Sequence, residues 1–325
     1  MASLATNYLG IDISNPLIVG SSGLTNSVAK IQKLQEYGAG AVVLKSLFEE
    51  QIRKEAGSML KNSNYPEAED YIMNYVRNNS VDQYYKLIES AKEAVDIPVI
   101  ASINCMSSKE WINYADGIQK AGADAIELNV YILPDSVHEN GVSYEQIYFD
   151  ILTEVTQRVT IPVSVKLGQH FSNIPSFINK LYSRGAKGVV LFNRFYAPDI
   201  NIDDLSFTSS EVFSNPSDIR YSLRWVGIVS SLVEKIDICS STGVHDGKAV
   251  VKLLLAGARA VQVCSVLYKN GPEYLKRIIE ELEEWMDKLN FENIKEFRGR
   301  MSYKNISDPT IFERSQFMRY FSNLQ

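Results

Sequence analysis

The chain has 325 residues, of which 45% are hydrophobic and 22% charged, a composition typical of a globular protein with a large core. Its net charge of -6 and the lack of a strongly basic segment argue against binding to nucleic acid or an anionic membrane, and no apolar run reaches the roughly 18 residues of a membrane span. Three cysteines without Cys-x-x-Cys spacing argue against a metal site or disulfides, and the N-terminus lacks signal-peptide features, so we expect a cytoplasmic protein.

Eight short apolar segments are predicted to be buried strands, and they begin in two ways. Four follow a Gly-Ala pair at the end of a helix-like segment: residues 38–45, 122–129, 185–193 and 257–264. Glycine suits the left-handed position after a helix, and a continuous apolar run is typical of a parallel strand covered on both faces. The other four begin near a proline or an aspartate: residues 15–23, 97–104, 161–168 and 236–241.

The segments around these strands have the composition and spacing of helices. They are residues 27–37, 81–95, 108–121, 143–159, 174–183, 219–235, 247–256 and 273–289. Eight strands that alternate with eight helices predict an α/β protein, specifically a single-domain (β/α)8 TIM barrel over residues 1–325. A doubly wound sheet is the alternative.

Three stretches exceed the minimal barrel pattern. Residues 47–80 and 194–218 are loop insertions after the second and sixth predicted strands, and residues 298–325 form an aromatic C-terminal extension. Both insertions should lie over the face where barrels carry out chemistry, as surface loops or as a pair of lids. We expect the extension to pack on the barrel or across a dimer interface.

Polar residues end the apolar run of each predicted strand. Two of them are lysines, Lys45 and Lys166, and neighbouring strands end in Asn129 and Asn193. A lysine at the end of a buried strand is costly unless it meets an anion or an electron-rich partner. The alternative is that each lysine only extends from the barrel mouth into solvent.

The last two predicted strands end in small residues, Ser241-Thr242-Gly243 and Cys264-Ser265. The turns after the last two strands are the usual phosphate site of a (β/α)8 barrel, because free backbone N–H groups meet there. Paired carboxylates at the strand ends and acidic clusters with metal-ligand spacing are both missing. Cations, amides and a phosphate cradle suit flavin mononucleotide (FMN), a planar phosphorylated cofactor that becomes anionic on reduction.

Taken together, these segments resemble the dihydroorotate dehydrogenase family, in particular its cytosolic class 1 branch, over about residues 5–290. The similar motifs are residues 15–23, Val42-Val-Leu-Lys-Ser46, Ala101-Ser-Ile-Asn104, Ala125-Ile-Glu-Leu-Asn129, Pro162-Val-Ser-Val-Lys166, Ser241-Thr-Gly-Val244 and Val261-Gln-Val-Cys-Ser265. The resemblance implies an FMN-dependent oxidoreductase that acts on CH–CH groups, converting dihydroorotate to orotate in pyrimidine biosynthesis. It also suggests a homodimer.

The resemblance further implies roles for individual residues. Those that match substrate-holding catalytic positions are Lys45, Asn129 and Asn193. Those that match FMN-binding positions are Ser22, Gly23, Lys45, Ser46, Ser102, Asn129, Lys166, Thr242, Gly243, Cys264 and Ser265. Thr242 and Cys264 stand where the family usually has glycine.

One departure from the family concerns the catalytic base. The family carries a cysteine base shortly after the fourth strand, and here that position falls on about Ile132, which cannot accept a proton. Cys105 is a candidate replacement, as are Tyr131, His138 and His170, although a purely structural role is the simpler interpretation of each.

Three alternatives therefore remain open. The substrate of the oxidoreductase is a compound other than dihydroorotate, the chain is a phosphate-binding aldolase or isomerase with Lys166 as Schiff-base nucleophile, or it is an FMN-binding subunit without catalytic activity.

Overall fold

A closed barrel of parallel strands forms the centre of the computed structural model, which describes residues 2–61, 69–104, 108–194, 197–209 and 211–313. The strands are β1 (Thr6–Tyr8), β2 (Ile11–Ile13), β3 (Leu17–Val19), β4 (Ala41–Val43), β5 (Leu47–Phe48), β6 (Val99–Asn104), β7 (Ala125–Asn129), β8 (Val163–Leu167), β9 (Gly188–Leu191), β10 (Pro198–Asn201), β11 (Ser206–Ser209), β12 (Asp237–Ser240) and β13 (Ala260–Val263). Eight of them pair in the closed order β3-β4-β6-β7-β8-β9-β12-β13. The predicted (β/α)8 barrel is confirmed.

Helices follow the barrel strands and cover the outside of the sheet. They are α1 (Val28–Glu36), α2 (Glu49–Lys61), α3 (Glu69–Ala94), α4 (Ser108–Lys120), α5 (Gly141–Thr156), α6 (Ile174–Ser183), α7 (Ile219–Leu232), α8 (Gly247–Ala256), α9 (Ser265–Asn270), α10 (Tyr274–Lys288) and α11 (Thr310–Glu313). Even the 26 residues of α3, the longest described helix, lack the apolar character needed to cross a bilayer.

The Gly-Ala pairs act as the sequence indicates. Gly38, Gly122, Gly185 and Gly257 follow α1, α4, α6 and α8, and all four have φ between 88° and 116°. In this left-handed region a side chain is strained, so glycine ends the helix and turns the chain directly into the next strand.

An antiparallel hairpin of β1 and β2 closes the amino-terminal end of the barrel. Tyr8, Leu9 and Ile13 are buried among the interior side chains of the barrel strands, including Ala41 and Ala260 at their amino ends. The hairpin is fixed further by a hydrogen bond, because Leu9 N donates to a carboxylate oxygen of Asp237 at 2.7 Å.

The stretches beyond the minimal barrel carry regular structure. We expected a loop over residues 47–80, but the chain forms β5, α2 and the first part of α3 there. Strand β5 pairs with the carboxyl end of β6. Within 194–218, β10 and β11 form an exposed hairpin. The described part of the C-terminal extension packs on α7 and α8, where Met301 N donates to Leu255 O and Tyr303 N to Gly227 O.

Candidate active site

A cavity of about 830 Å³ opens at the carboxyl ends of the barrel strands. The sequence-predicted residues that line it are Ser22, Lys45, Ser46, Asn129, Lys166 and Asn193. Lys45 is exposed at the rim, whereas Asn129 and Lys166 are buried and occupy paired positions on β7 and β8. The structure therefore brings both lysines and both asparagines to one site.

The two asparagines are held by each other. Asn193 Nδ2 donates to Asn129 Oδ1 at 2.9 Å. Within the described part of the chain, this contact leaves Asn129 Nδ2 and Asn193 Oδ1 free to bind a ligand. Together they present one donor and one acceptor, which matches the edge of a planar amide or imide.

Lys166 is held by a buried polar layer, which consists of Glu127 and Gln262. Its Nζ donates to Gln262 Oε1 at 2.9 Å and lies 3.6 Å from Glu127 Oε1, while Gln262 Nε2 donates to Glu127 Oε2 at 2.5 Å. Glu127 is only 1% exposed and Lys166 8%. The neighbouring carboxylate compensates positive charge on Lys166, so this side chain is suited to stabilise negative charge in a bound group.

Sequence reasoning missed Glu127 and Gln262, although a signal was present. Both interrupt an apolar strand, and Glu127 lies two positions before Asn129, so the two side chains share one face of β7. Reading the interior of each strand for polar residues, and not only its end, would have found them.

A chain of hydroxyl groups supports the opposite side of the cavity. Ser46 Oγ lies 3.0 Å from Ser21 Oγ and 2.7 Å from Ser102 Oγ. Tyr84 OH accepts from Ser102 N at 2.8 Å and donates to Ser102 O at 2.9 Å, and burial raises the pKa of this phenol well above its usual value. Ser102 is fully buried and does not line the cavity, so its role is to position Ser46.

The predicted phosphate turns lie beside this cavity rather than in its lining. Thr242 and Gly243 both have positive φ, 75° and 80°, and a Cβ on Gly243 would lie 2.2 Å from Ile219 N. The amide N–H groups of Gly243 and Cys264 donate to no acceptor in the described chain. Thr242 Oγ1 donates to Phe192 O at 3.0 Å and ties this turn to the end of β9.

The remaining predicted FMN-binding residues are Ser22, Gly23 and Ser265. Ser22 lines the cavity, and the Tyr268 hydroxyl lies 2.8 Å from where a Cβ of Gly23 would stand. Burial raises the pKa of the Cys264 thiol, so it stays protonated at neutral pH. Ser265 Oγ accepts from Ser214 N at 3.0 Å, which orients it toward the 194–218 insertion.

An apolar wall stands where a catalytic base is expected. Ile132 lines the cavity together with Val130, Leu133, Ile147 and Ile151. Among the residues that line the cavity in the described chain, Glu50 is the one carboxylate, and Tyr131 and Arg194 also reach it.

Of the other base candidates, Tyr131 lines this cavity and the two histidines do not. Cys105 lies outside the described residues. His138 is exposed, and His170 lines a separate cavity of about 220 Å³ behind Tyr131. This second cavity also contains Tyr148, and burial raises the pKa of its phenol to about 12.

The closed barrel brings two lysines and two asparagines to the carboxyl ends of its strands, the face where (β/α)8 enzymes carry out their chemistry. Comparison with known proteins agrees, because the family model for dihydroorotate dehydrogenase matches residues 3–286. The chain belongs to the dihydroorotate dehydrogenase family.

Individual relatives match over almost their whole length. The chain is 29% identical to the dihydroorotate dehydrogenase B (NAD(+)) catalytic subunit of Thermoplasma volcanium, covering 92% of this chain and 98% of that protein. It is 28% identical to the protein of the same name from Methanothermobacter thermautotrophicus, covering 91% and 97%. It is 25% identical to dihydroorotate dehydrogenase A (fumarate) of Lactobacillus helveticus, covering 93% and 100%.

Proposed function

We propose that this chain is an FMN-dependent oxidoreductase that acts on a CH–CH bond of a small anionic substrate. The observation that carries the proposal is Lys166, a buried cation held by Glu127 and Gln262 at the mouth of the barrel. A fixed positive charge at this place favours a bound group that gains negative charge during a reaction.

The residues present fit FMN. Free amide groups at Gly243 and Cys264, in a turn where a Cβ would collide with backbone, form a cradle of the kind that binds phosphate. The polar cavity that contains Lys166 and the Asn129–Asn193 pair opens at the same carboxyl ends of the barrel strands. When bound there, FMN would supply the two-electron chemistry that the side chains themselves lack.

Side chains of the cavity also suit a carboxylated substrate. Lys45 and Arg194 line it, as does the amide pair of Asn129 and Asn193. Dihydroorotate, a carboxylated cyclic imide, is therefore the first substrate to test. Because Ile132 cannot accept a proton, we expect the oxidation of dihydroorotate to be slow.

The aldolase or isomerase alternative is not favoured. A Schiff-base nucleophile needs an amine that is free to attack, whereas Lys166 Nζ is engaged by Gln262 Oε1 at 2.9 Å and lies 3.6 Å from Glu127 Oε1.

The first experiment is an absorption spectrum of the purified protein, followed by anaerobic mixing with dihydroorotate. We expect bound flavin and slow loss of its visible absorbance. Ile132→Cys should accelerate this loss by at least about tenfold, since a positioned base contributes about 100-fold or more. Ile132→Ala is the matched control, because it opens the same space without a proton acceptor.

Two outcomes would count against the proposal. A colourless protein that does not bind added FMN would exclude the cofactor. Bound flavin that neither dihydroorotate nor related pyrimidines reduce, in wild type and Ile132→Cys alike, would favour the subunit that binds FMN without catalysis.

Electron acceptor, assembly and location belong to the same proposal. The names of the relatives contain both NAD(+) and fumarate, so both acceptors should be tried. We propose a cytoplasmic homodimer on the basis of composition and family resemblance, and light scattering and cell fractionation test these two points.

A further inference from the structure

A second polar cavity, of about 330 Å³, lies at the end of the barrel opposite the mouth. Ile236 and Ile238, at the beginning of β12, form part of its wall, whereas the phosphate turn at Thr242 and Gly243 follows the other end of the same strand. The polar residues that matter for its chemistry are Ser230, Ser231, Arg259, Arg298 and Ser302.

Of the two guanidinium groups in this cavity, Arg259 is paired with a carboxylate of the described chain and Arg298 is not. Asp237 Oδ1 lies 2.5 Å from Arg259 Nε, and Asp237 Oδ2 already accepts from Leu9 N. Arg298 is half-buried, and within the described chain its side chain makes no hydrogen bond and no ion pair. Asp237 is thus paired directly with Arg259 and the Leu9 amide, and within the described chain Arg298 has no direct counterion.

Other charges nearby do not neutralise Arg298. Lys304 and Glu234, which also line the cavity, pair with each other at 3.0 Å and are more than half exposed. Burial and repulsion by Arg259 lower the pKa of Arg298, with Asp237 opposing this effect. An unpaired guanidinium inside a cavity is costly, and an anion that bridges two guanidinium groups removes that cost.

We propose that this cavity binds a phosphate group between Arg259 and Arg298. Guanidinium groups bind phosphate through paired hydrogen bonds, and a volume of about 330 Å³ exceeds what inorganic phosphate needs. The ligand is accordingly phosphate itself or a small phosphorylated metabolite. The site is separate from the mouth and does not depend on the proposed redox function.

The test is calorimetric titration of the full chain, saturated with FMN, with inorganic phosphate and with ribose 5-phosphate. Saturation with FMN occupies the phosphate cradle at the mouth, and the two arginine variants assign the remaining binding to the second cavity or exclude it. Arg298→Gln should weaken binding at least about tenfold, as expected when one charge-assisted contact is lost. Arg300→Gln, which removes the same charge two residues away from an exposed side chain, should change it less than about twofold.

Two results would overturn the proposal that this cavity binds phosphate. Absence of heat and of a thermal shift up to tens of millimolar ligand would do so, as would equal weakening by Arg298→Gln and Arg300→Gln. Arg298→Lys is the control for misfolding of the Arg298→Gln variant. It keeps the positive charge and should retain part of the affinity for phosphate. If the protein does not bind FMN, the titration is made with Gly243→Ala as well, and unchanged phosphate binding in this variant supports the second cavity while the proposed function fails.

The two ligands identify the source of the phosphate. Tighter binding of ribose 5-phosphate indicates a phosphorylated metabolite, and binding of inorganic phosphate alone indicates the free ion. Either result supports the site.

Discussion

At the scale of residues, the site depends on a charge pair that lies inside the barrel and not at its surface. Lys166 and Glu127 are both buried, and Gln262 hydrogen-bonds to each of them. Buried charges stay ionised only when each is compensated, so removing one partner leaves the other without compensation.

We expect Glu127→Gln to lower the free energy of unfolding by about 3 kcal/mol, because Lys166 would then lose its counterion in a region that excludes water. Urea unfolding monitored by circular dichroism measures this loss. Glu234→Gln is the control, since it breaks the exposed pair with Lys304 and should cost less than about 1 kcal/mol. Equal stability of the two variants would show that Glu127 does not hold Lys166.

The same residues show where sequence reasoning stops. Lys45, Asn129, Lys166 and Asn193 could be assigned to one face, because the carboxyl ends of parallel strands meet there. The contact of Lys166 with Gln262 joins residues 96 positions apart across the barrel interior. Nothing in the local pattern specifies which of several polar interior residues meet, so this pairing required the structure.

At the scale of elements, local patterns predicted most helices and strands but not the insertion after β4. Residues 47–80 look polar, yet Ile52 and Ala56 lie four positions apart on α2 and both are buried. This spacing places them on one helix face, and Glu49 and Glu50 favour a helix start at this point. Charged residues on the remaining faces obscured that short apolar stripe.

We expect Gly257→Ala to destabilise the protein by about 2 kcal/mol or more. At φ 116° an alanine is strained, and its Cβ would lie 2.5 Å or less from the Ser230 side chain. Gly122→Ala separates the two effects, because Gly122 has φ 88° but no atom within 4 Å of the added Cβ, so only about 1 kcal/mol should be lost. Identical losses in thermal or urea unfolding would mean that Ser230 moves aside without cost.

At the scale of the whole molecule, the amino-terminal hairpin completes the core of the barrel. The interior residues at the amino ends of β4, β7 and β13 are alanines, namely Ala41, Ala125 and Ala260. Such small side chains leave space, and Tyr8 and Leu9 fill it. The sequence predicted the eight strands but not this closure. Strands β1 and β2 have three residues each, which is too short to show a clear alternation of apolar and polar residues.

We expect Tyr8→Ala to lower the free energy of unfolding by about 3 kcal/mol or more, through the cavity that it leaves at the base of the barrel. Asn7→Ala, on the opposite face of the same strand, should change it by less than about 0.5 kcal/mol. Chemical denaturation of both variants measures the difference. A Tyr8 variant as stable as the Asn7 variant would mean that the barrel strands close the base without the hairpin.

The hairpin of β1 and β2 has a consequence for how substrate and product enter and leave the site. Because the hairpin fills the base of the barrel, the described residues leave the polar layer around Lys166 one opening, the mouth lined by Lys45 and Asn193. Substrate and product must pass through this opening one after the other, so each should block the entry of the other.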